Sequence, residues 1–222
     1  MTSHFETSAA LKDLLQRFDV LDTLAADLHA AYELLQRCLA AGNKVLTCGN
    51  GGSAADADHI AGELMKSFAY RRPISEADQG RLRSEFPDTA DALIGSLETP
   101  LPAISLTGQI ALLTAFANDV DYNYAFAQQV YGLGARGDVL IAISTSGTSA
   151  SILNACRVAR LRGVAVLGLT GRTGGKMGPL CDVVLRTPAD ETHLVQELHR
   201  PIYHALCLAL EEHFFSTNGR RG

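Results

Sequence analysis

Short apolar runs alternate along most of the chain with segments whose apolar positions recur at three and four residues. The runs at 44–48, 102–106, 137–143, 164–170 and 183–185 predict five strands. Val139–Ile143 has no polar alternation, the pattern of a strand covered on both faces. Helices are predicted at 53–67, 108–117, 122–133, 150–162 and 191–215, with a break at Asn118-Asp119 and with Pro201 inside the last. Strands alternating with helices form right-handed crossovers. The fold class is therefore α/β, a doubly wound parallel sheet of about five strands. Such sheets bind ligands at the C-terminal ends of their strands. The glycine-rich corner at 49–53, the hydroxyl-rich turn at 144–149 and the loop at 171–176 each follow a strand, so they are expected on one rim.

Upstream, residues 5–41 read as two helices or one broken helix. In Leu21, Leu24, Ala25, Leu28, Ala31, Leu34, Leu35, Cys38 and Leu39 the apolar residues recur at three and four, and Gly42 supplies the stop. This divides the chain into an N-terminal helical extension at 1–42, whose stripe is expected to meet a second subunit, and a sheet domain at 43–222. Residues 69–100 are crowded with charge and carry few large apolar side chains. They read as a surface excursion with short helices at 75–84 and 89–94, either a lid or a plain insertion.

Composition narrows the function classes. At 222 residues and 47% hydrophobic, the chain can bury a sizeable core. No apolar run approaches the ~20 residues of a membrane span, and the first residues lack the pattern of a secretory signal. The expected location is the cytoplasm, with no membrane partner. The net charge of -5 and the scattered basic residues argue against nucleic acid. Cys38, Cys48, Cys156, Cys181 and Cys207 are widely spaced with no C-x-x-C, so free thiols are expected rather than a disulfide framework. Cys48 beside the glycine corner could be imagined as a nucleophile, but no basic residue is placed by sequence to activate it.

Three segments carry candidate chemistry. Ser144-Thr145-Ser146-Gly147-Thr148-Ser149 sets five hydroxyls at a strand-to-helix turn. One capping residue would serve a helix start; the surplus, with free backbone N–H groups, suits a phosphate monoester. With no lysine and no G-x-G-x-x-G, neither a Walker loop nor a dinucleotide fits. In the corner, Gly51 and Gly52 allow close approach of a ligand, while Asn50 and Ser53 can bond sugar hydroxyls. His59 and Glu63, four residues apart, face the same way and can bind a metal or act as base and orienter. The last helix carries Gln196, Glu197, His199 and His204 among apolar residues, and spacing alone does not say which of them face the site.

Taken in order, Cys48-Gly-Asn-Gly-Gly-Ser53, His59-x3-Glu63, Asn118-Asp119, Gly137-Asp-Val-Leu, Ile143-Ser-Thr-Ser-Gly147, Gly174-Gly-Lys176 and Gln196-Glu-Leu-His199 with His204 resemble the sugar isomerase (SIS) domain. Within it, the chain is similar to the phosphoheptose isomerases. The resemblance implies the SIS fold, a homotetramer with sites at subunit interfaces, and conversion of sedoheptulose 7-phosphate to D-glycero-D-manno-heptose 7-phosphate. It implies one divalent metal per site, commonly zinc, on His59, Glu63, Gln196 and His204. The phosphate would lie on Ser144, Thr145, Ser146 and Ser149 with Thr192 assisting. Asn50, Gly51, Gly52, Ser53, Asp119 and Gln196 would contact the sugar. Glu63 would be the base and His204 the acid of an enediol isomerisation. The chain departs from the family's pattern in the length of 69–100 and at His193 and Leu194. The alternative is a non-catalytic SIS-type sensor or assembly module; the presence of His59, Glu63, Gln196 and His204 together favours the enzyme.

Overall fold

The computed structural model describes residues 8–220. The five expected strands are β1 (Val45–Cys48), β2 (Ala103–Ser105), β3 (Val139–Ile143), β4 (Ala165–Thr170) and β5 (Val183–Arg186). They form one sheet of order β2-β1-β3-β4-β5, and every neighbouring pair is parallel. At its centre Val45 pairs with Val139 and Cys48 with Ala142. Successive side chains of a strand point to opposite faces. Val139, Ile141 and Ile143 accordingly enter one core and Leu140 and Ala142 the other. Helices cover both faces, which is why β3 can be apolar throughout.

The first face is covered by α1 (Ala9–Arg17), α2 (Ala25–Ala40), α3 (Gly52–Met65) and α9 (Thr192–Phe215). Ser8 caps α1 by accepting from the Ala10 N–H, a 3-10 segment over Asp19–Leu24 turns the chain, and Gly42 follows α2 at φ +76°. Leu11, Leu14, Leu21, Leu28 and Leu35 are buried in one core with Ile60 of α3 and Ile202 and Leu206 of α9. The stripe expected to meet a second subunit is therefore covered within its own chain except at exposed Ala25 and half-buried Leu34, and among the described residues the extension shares the sheet's core. Residues 5–7 of the expected helix lie outside the described residues.

The second face carries α7 (Ala125–Leu133) and α8 (Ala150–Arg162). Next to them α6 (Ile110–Asp119) buries none of its residues although its sequence is IALLTAFAND. The excursion holds α4 (Glu76–Glu85) and α5 (Ala90–Ser96). It is closed at its base by the Pro73–Glu98 bridge and by the Thr99 N–H donating to the Arg72 carbonyl at 2.7 Å.

Arg72, which composition assigns to the polar excursion, is 1% exposed. Its Nε donates to Glu211 Oε1 at 2.8 Å, its Nη1 to the Leu64 carbonyl at 2.7 Å and its Nη2 to the Glu63 carbonyl at 3.3 Å. Glu211 also accepts from the Phe68 and Ala69 N–H groups. The last carbonyls of a helix need partners from outside it, and Arg72 supplies two of them for α3. The pair thus ties the end of α3 to α9.

Two outcomes follow for stability. Arg72→Met leaves a buried carboxylate without its cation and is expected to cost about 3–5 kcal/mol in urea unfolding, while adding Glu211→Leu recovers only part of the loss, because the Glu63 and Leu64 carbonyls and the Phe68 and Ala69 N–H groups lose these partners. A small single-variant effect would show that the ion pair is not structural. His199 is 0% exposed, and desolvation lowers its pKa from 6.5 to about 4. A folded pKa below the unfolded one means that the unfolded chain takes up the proton first. The His199 contribution to stability is therefore complete above pH 6.5 and is lost as pH falls towards 4, by up to about 3 kcal/mol. Urea midpoints measured across that window should fall less steeply for His199→Leu than for the wild type.

Candidate active site

The sheet order reverses between β1 and β3, so a crevice opens beyond their C-terminal ends. The glycine corner leaves β1 there and the hydroxyl-rich turn leaves β3. Asn50 joins them: its Nδ2 donates to Ser149 Oγ and to Ser151 Oγ, both at 2.9 Å. Its Oδ1 accepts from the Tyr122 hydroxyl at 2.7 Å. Gly51 sits at φ 56°, ψ -124°, a conformation that demands glycine. A Cβ on Gly52 would come within 2.6 Å of Gln196 Nε2, so that glycine lets α9 approach the start of α3. Ser53 is buried, its N–H bonded to the Asn50 carbonyl.

Ser149 occupies the N-cap of α8 but makes no capping hydrogen bond. Its hydroxyl turns to Asn50 and Ser151 instead. The bland capping explanation of the hydroxyl run is therefore not realised at that residue. Ser146 and Thr148 bond one another at 2.9 Å on the exposed side, while Ser144 is buried. The turn is backed by the 171–178 loop: Thr145 and Gly147 carbonyls accept from the Gly171 and Met177 N–H groups. Gly147 itself is at φ 63°. Uncapped N–H groups beside several hydroxyls are suited to an anion.

His59, Glu63 and His204 gather where α3 lies against α9. His59 Nε2 is 3.2 Å from Glu63 Oε1, and the His59 and His204 rings are 5.0 Å apart. Glu63 is buried, and its Oε2 accepts from Lys66 Nζ at 2.6 Å. His204 Nε2 is buried with no hydrogen-bond partner. Burial, followed by the nearby His59, lowers the His204 pKa and favours the neutral ring. On the other side of His59, Nδ1 is 3.1 Å from the Tyr203 hydroxyl, which donates to Asp56 Oδ1 at 3.2 Å. Burial and then Asp56 push the Tyr203 phenol up to about 12, and burial raises Asp56.

The other expected residues fall elsewhere. Gln196 is at Gly52, two turns of α3 before His59, in an open cavity of about 420 Å³ shared with Asp56, His193, Glu197 and Arg200. Within one chain it is not part of the His59 group. Thr192 opens α9 and is exposed; Ala189 and Val195, on either side, lie against Gly171, which is bonded to Thr145. Asp119 ends α6 and meets Asn118 at 2.7 Å, while Tyr122, three residues on, reaches the corner. Cys48 is fully buried and its thiol is pushed up to about 12 by burial, which removes it as a nucleophile. All five cysteines are free.

Among the described residues no three His, Cys, Asp or Glu side chains form a ready-made metal cluster. His59 and Glu63 nevertheless fit a cation. Two donors each about 2.0–2.2 Å from a tetrahedral ion lie about 3.3–3.6 Å apart, and these two atoms are 3.2 Å apart. Of the four ligands that the resemblance implies, these two fit, His204 stands beside them and Gln196 stands apart.

Sequence reasoning missed Asp56, Ser151, Tyr122 and Tyr203. Asp56 carried a signal, since it precedes His59 by three residues and Glu63 by seven and so shares their face. Tyr203 carried none beyond its place next to His204.

Comparison with known proteins agrees with this arrangement. Models of the SIS domain match residues 103–209 and 8–87. A phosphoheptose isomerase of Aliarcobacter butzleri is 39% identical over 208 residues, 92% of this chain and 96% of that protein. One from Nitratidesulfovibrio vulgaris is 43% identical over 180 residues, 81% of this chain and 74% of the relative. The solved structure of a phosphoheptose isomerase from Francisella tularensis superposes with a TM-score of 0.73 at 32% identity, covering 90% of this chain and 94% of that one. The likeness thus extends through both glycine- and hydroxyl-rich turns and through the two helices that bring His59, Glu63 and His204 together, and the chain belongs to the phosphoheptose isomerase family of SIS-domain proteins.

Proposed function

We propose that the protein is an isomerase that interconverts sedoheptulose 7-phosphate and D-glycero-D-manno-heptose 7-phosphate. The observation that carries this is the buried, partnerless Nε2 of His204 beside the His59–Glu63 pair, on the helix that leaves the glycine-rich corner. A carboxylate and a neutral imidazole side by side are the equipment for moving one proton between carbons and another between oxygens. In the ketose-to-aldose direction, Glu63 takes the proton from C1 and returns it to C2. His204 gives a proton to O2 as the C1–C2 enediol forms and recovers one from O1 as the aldehyde forms. The uncapped N–H groups of α8, with Ser144, Thr145, Ser146 and Ser149, receive the phosphate, and Thr192 approaches from the start of α9. Asn50, Gly51, Gly52 and Ser53 hold the sugar hydroxyls. His59 and Glu63 would hold a divalent cation, for which zinc suits the imidazole and carboxylate donors. That ion would polarise the carbonyl and stabilise the developing enediolate.

The working unit in this reading is a homotetramer, with Gln196 and Asp119 completing sites across subunit boundaries. Exposed apolar surface supports association. Ile110 is 71% exposed, and Leu112, Val120, Tyr122, Tyr124, Tyr131 and Leu133 are exposed on the same run of helices. No helix among the described residues is long and apolar enough to cross a membrane, which is consistent with a cytoplasmic enzyme.

The test is direct. Purified protein supplied with zinc is incubated with sedoheptulose 7-phosphate, and the aldose product and solvent-hydrogen exchange at C1 are followed together. Conversion is expected, and Glu63→Gln should reduce it by about 10²–10⁴-fold. Binding of the ketose with neither exchange nor product would instead identify a sugar-phosphate sensor.

A further inference from the structure

The face of His59 turned away from Glu63 is occupied by a hydrogen-bonded chain that the isomerase reading does not use. Tyr203 is 2% exposed and Asp56 is 6% exposed. The Tyr203 hydroxyl lies between Asp56 Oδ1 at 3.2 Å and His59 Nδ1 at 3.1 Å. A phenol has one proton to donate. If that proton goes to His59, Asp56 loses the one hydrogen bond the structure gives it. Its other oxygen is already buried without a partner, and a wholly unpaired buried carboxylate is costly. A carboxylate is also the stronger acceptor of the two. The proton therefore goes to Asp56, and the Tyr203 oxygen is left as an acceptor.

From this arrangement we infer that Asp56 and Tyr203 are positioning residues that fix His59 as the Nδ1–H tautomer, leaving its Nε2 lone pair turned towards Glu63. His59 donates to Tyr203, Tyr203 donates to Asp56, and the ring cannot take the other tautomer without breaking the chain. The consequence appears on the far side of the ring. Nε2 and Glu63 Oε1 then face each other as two acceptors 3.2 Å apart, a contact that is stable only with a proton or a cation between them. In the neutral ring the pair is a preset cation seat. A ligating imidazole commonly has its other N–H tied in this way; here the tie is a phenol backed by a buried carboxylate. The seat's use for zinc rests on the proposed function, whereas the tautomer does not.

The two are separable in one set of measurements. Protein labelled with ¹⁵N-histidine is stripped of metal with a chelator, and long-range ¹H–¹⁵N spectra are recorded at about pH 8, where an ordinary histidine is neutral. His59 is assigned by its loss in His59→Gln. Wild type is expected to show a protonated Nδ1 and a bare Nε2. Tyr203→Phe, which keeps the ring volume, and Asp56→Ala, which frees the Tyr203 proton for His59, are each expected to move the population towards Nε2–H. In competition with a chromophoric chelator, zinc should bind Tyr203→Phe about 10–100-fold more weakly than wild type. An Nε2–H tautomer in the wild type, or a Tyr203→Phe spectrum identical to wild type, would overturn the inference. An Nδ1–H signal that depends on Tyr203, in a protein that takes up no zinc, would uphold the relay and remove the cation reading of the proposed function.

Discussion

Everything chemical in this molecule depends on two helices, far apart in sequence, being held side by side. α3 carries Asp56, His59 and Glu63, and α9 carries Gln196, Tyr203 and His204. Apolar contacts between Ile60, Leu64, Ile202 and Leu206 bring the helices together but do not fix their relative height. Directional bonds fix it. At one end Gly52 admits Gln196. At the other, Arg72 takes the carbonyls of Glu63 and Leu64 and hands its charge to Glu211. Between these ends the Asp56–Tyr203–His59 chain crosses from one helix to the other. A slip of one turn, about 5.4 Å, would separate His204 from the His59–Glu63 pair.

The sheet sets the second constraint. Because β1 has β2 on one side and β3 on the other, chains leaving β1 and β3 diverge and open a crevice. Asn50 spans that crevice with two hydrogen bonds and receives a third from Tyr122. It therefore sets the distance between the corner assigned to the sugar and the turn assigned to the phosphate. Such a ligand would be measured at both ends, by hydroxyl contacts at one and by uncapped N–H groups at the other.

Much of this was legible in the residues. The apolar periods placed all five strands and the core helices, because burial on both faces leaves a pattern that local sequence records. The hydroxyl surplus at 144–149 and the His59/Glu63 spacing pointed to the rim and to one helical face. Other features were hidden for physical reasons. Arg72 sits in a charged stretch, and nothing local distinguishes a solvated arginine from one whose partner, Glu211, is 139 residues away. The stripe on α1 and α2 was legible, but what covers it is a property of the whole fold. On α9, spacing left Gln196, Glu197, His199 and His204 open. The structure buries His199 and sets His204 beside His59, while Gln196 goes to Gly52.

The central claim is that one site runs from the α8 turn through the Asn50 crevice to the His59–Glu63–His204 corner. A crystal structure of the Glu63→Gln protein with sedoheptulose 7-phosphate bound measures it most directly. The phosphate is expected on the N–H groups and hydroxyls of the 144–149 turn, with C1 and C2 of the sugar between residue 63 and His204. A phosphate bound elsewhere, or a sugar whose C1 and C2 lie away from that pair, would contradict it.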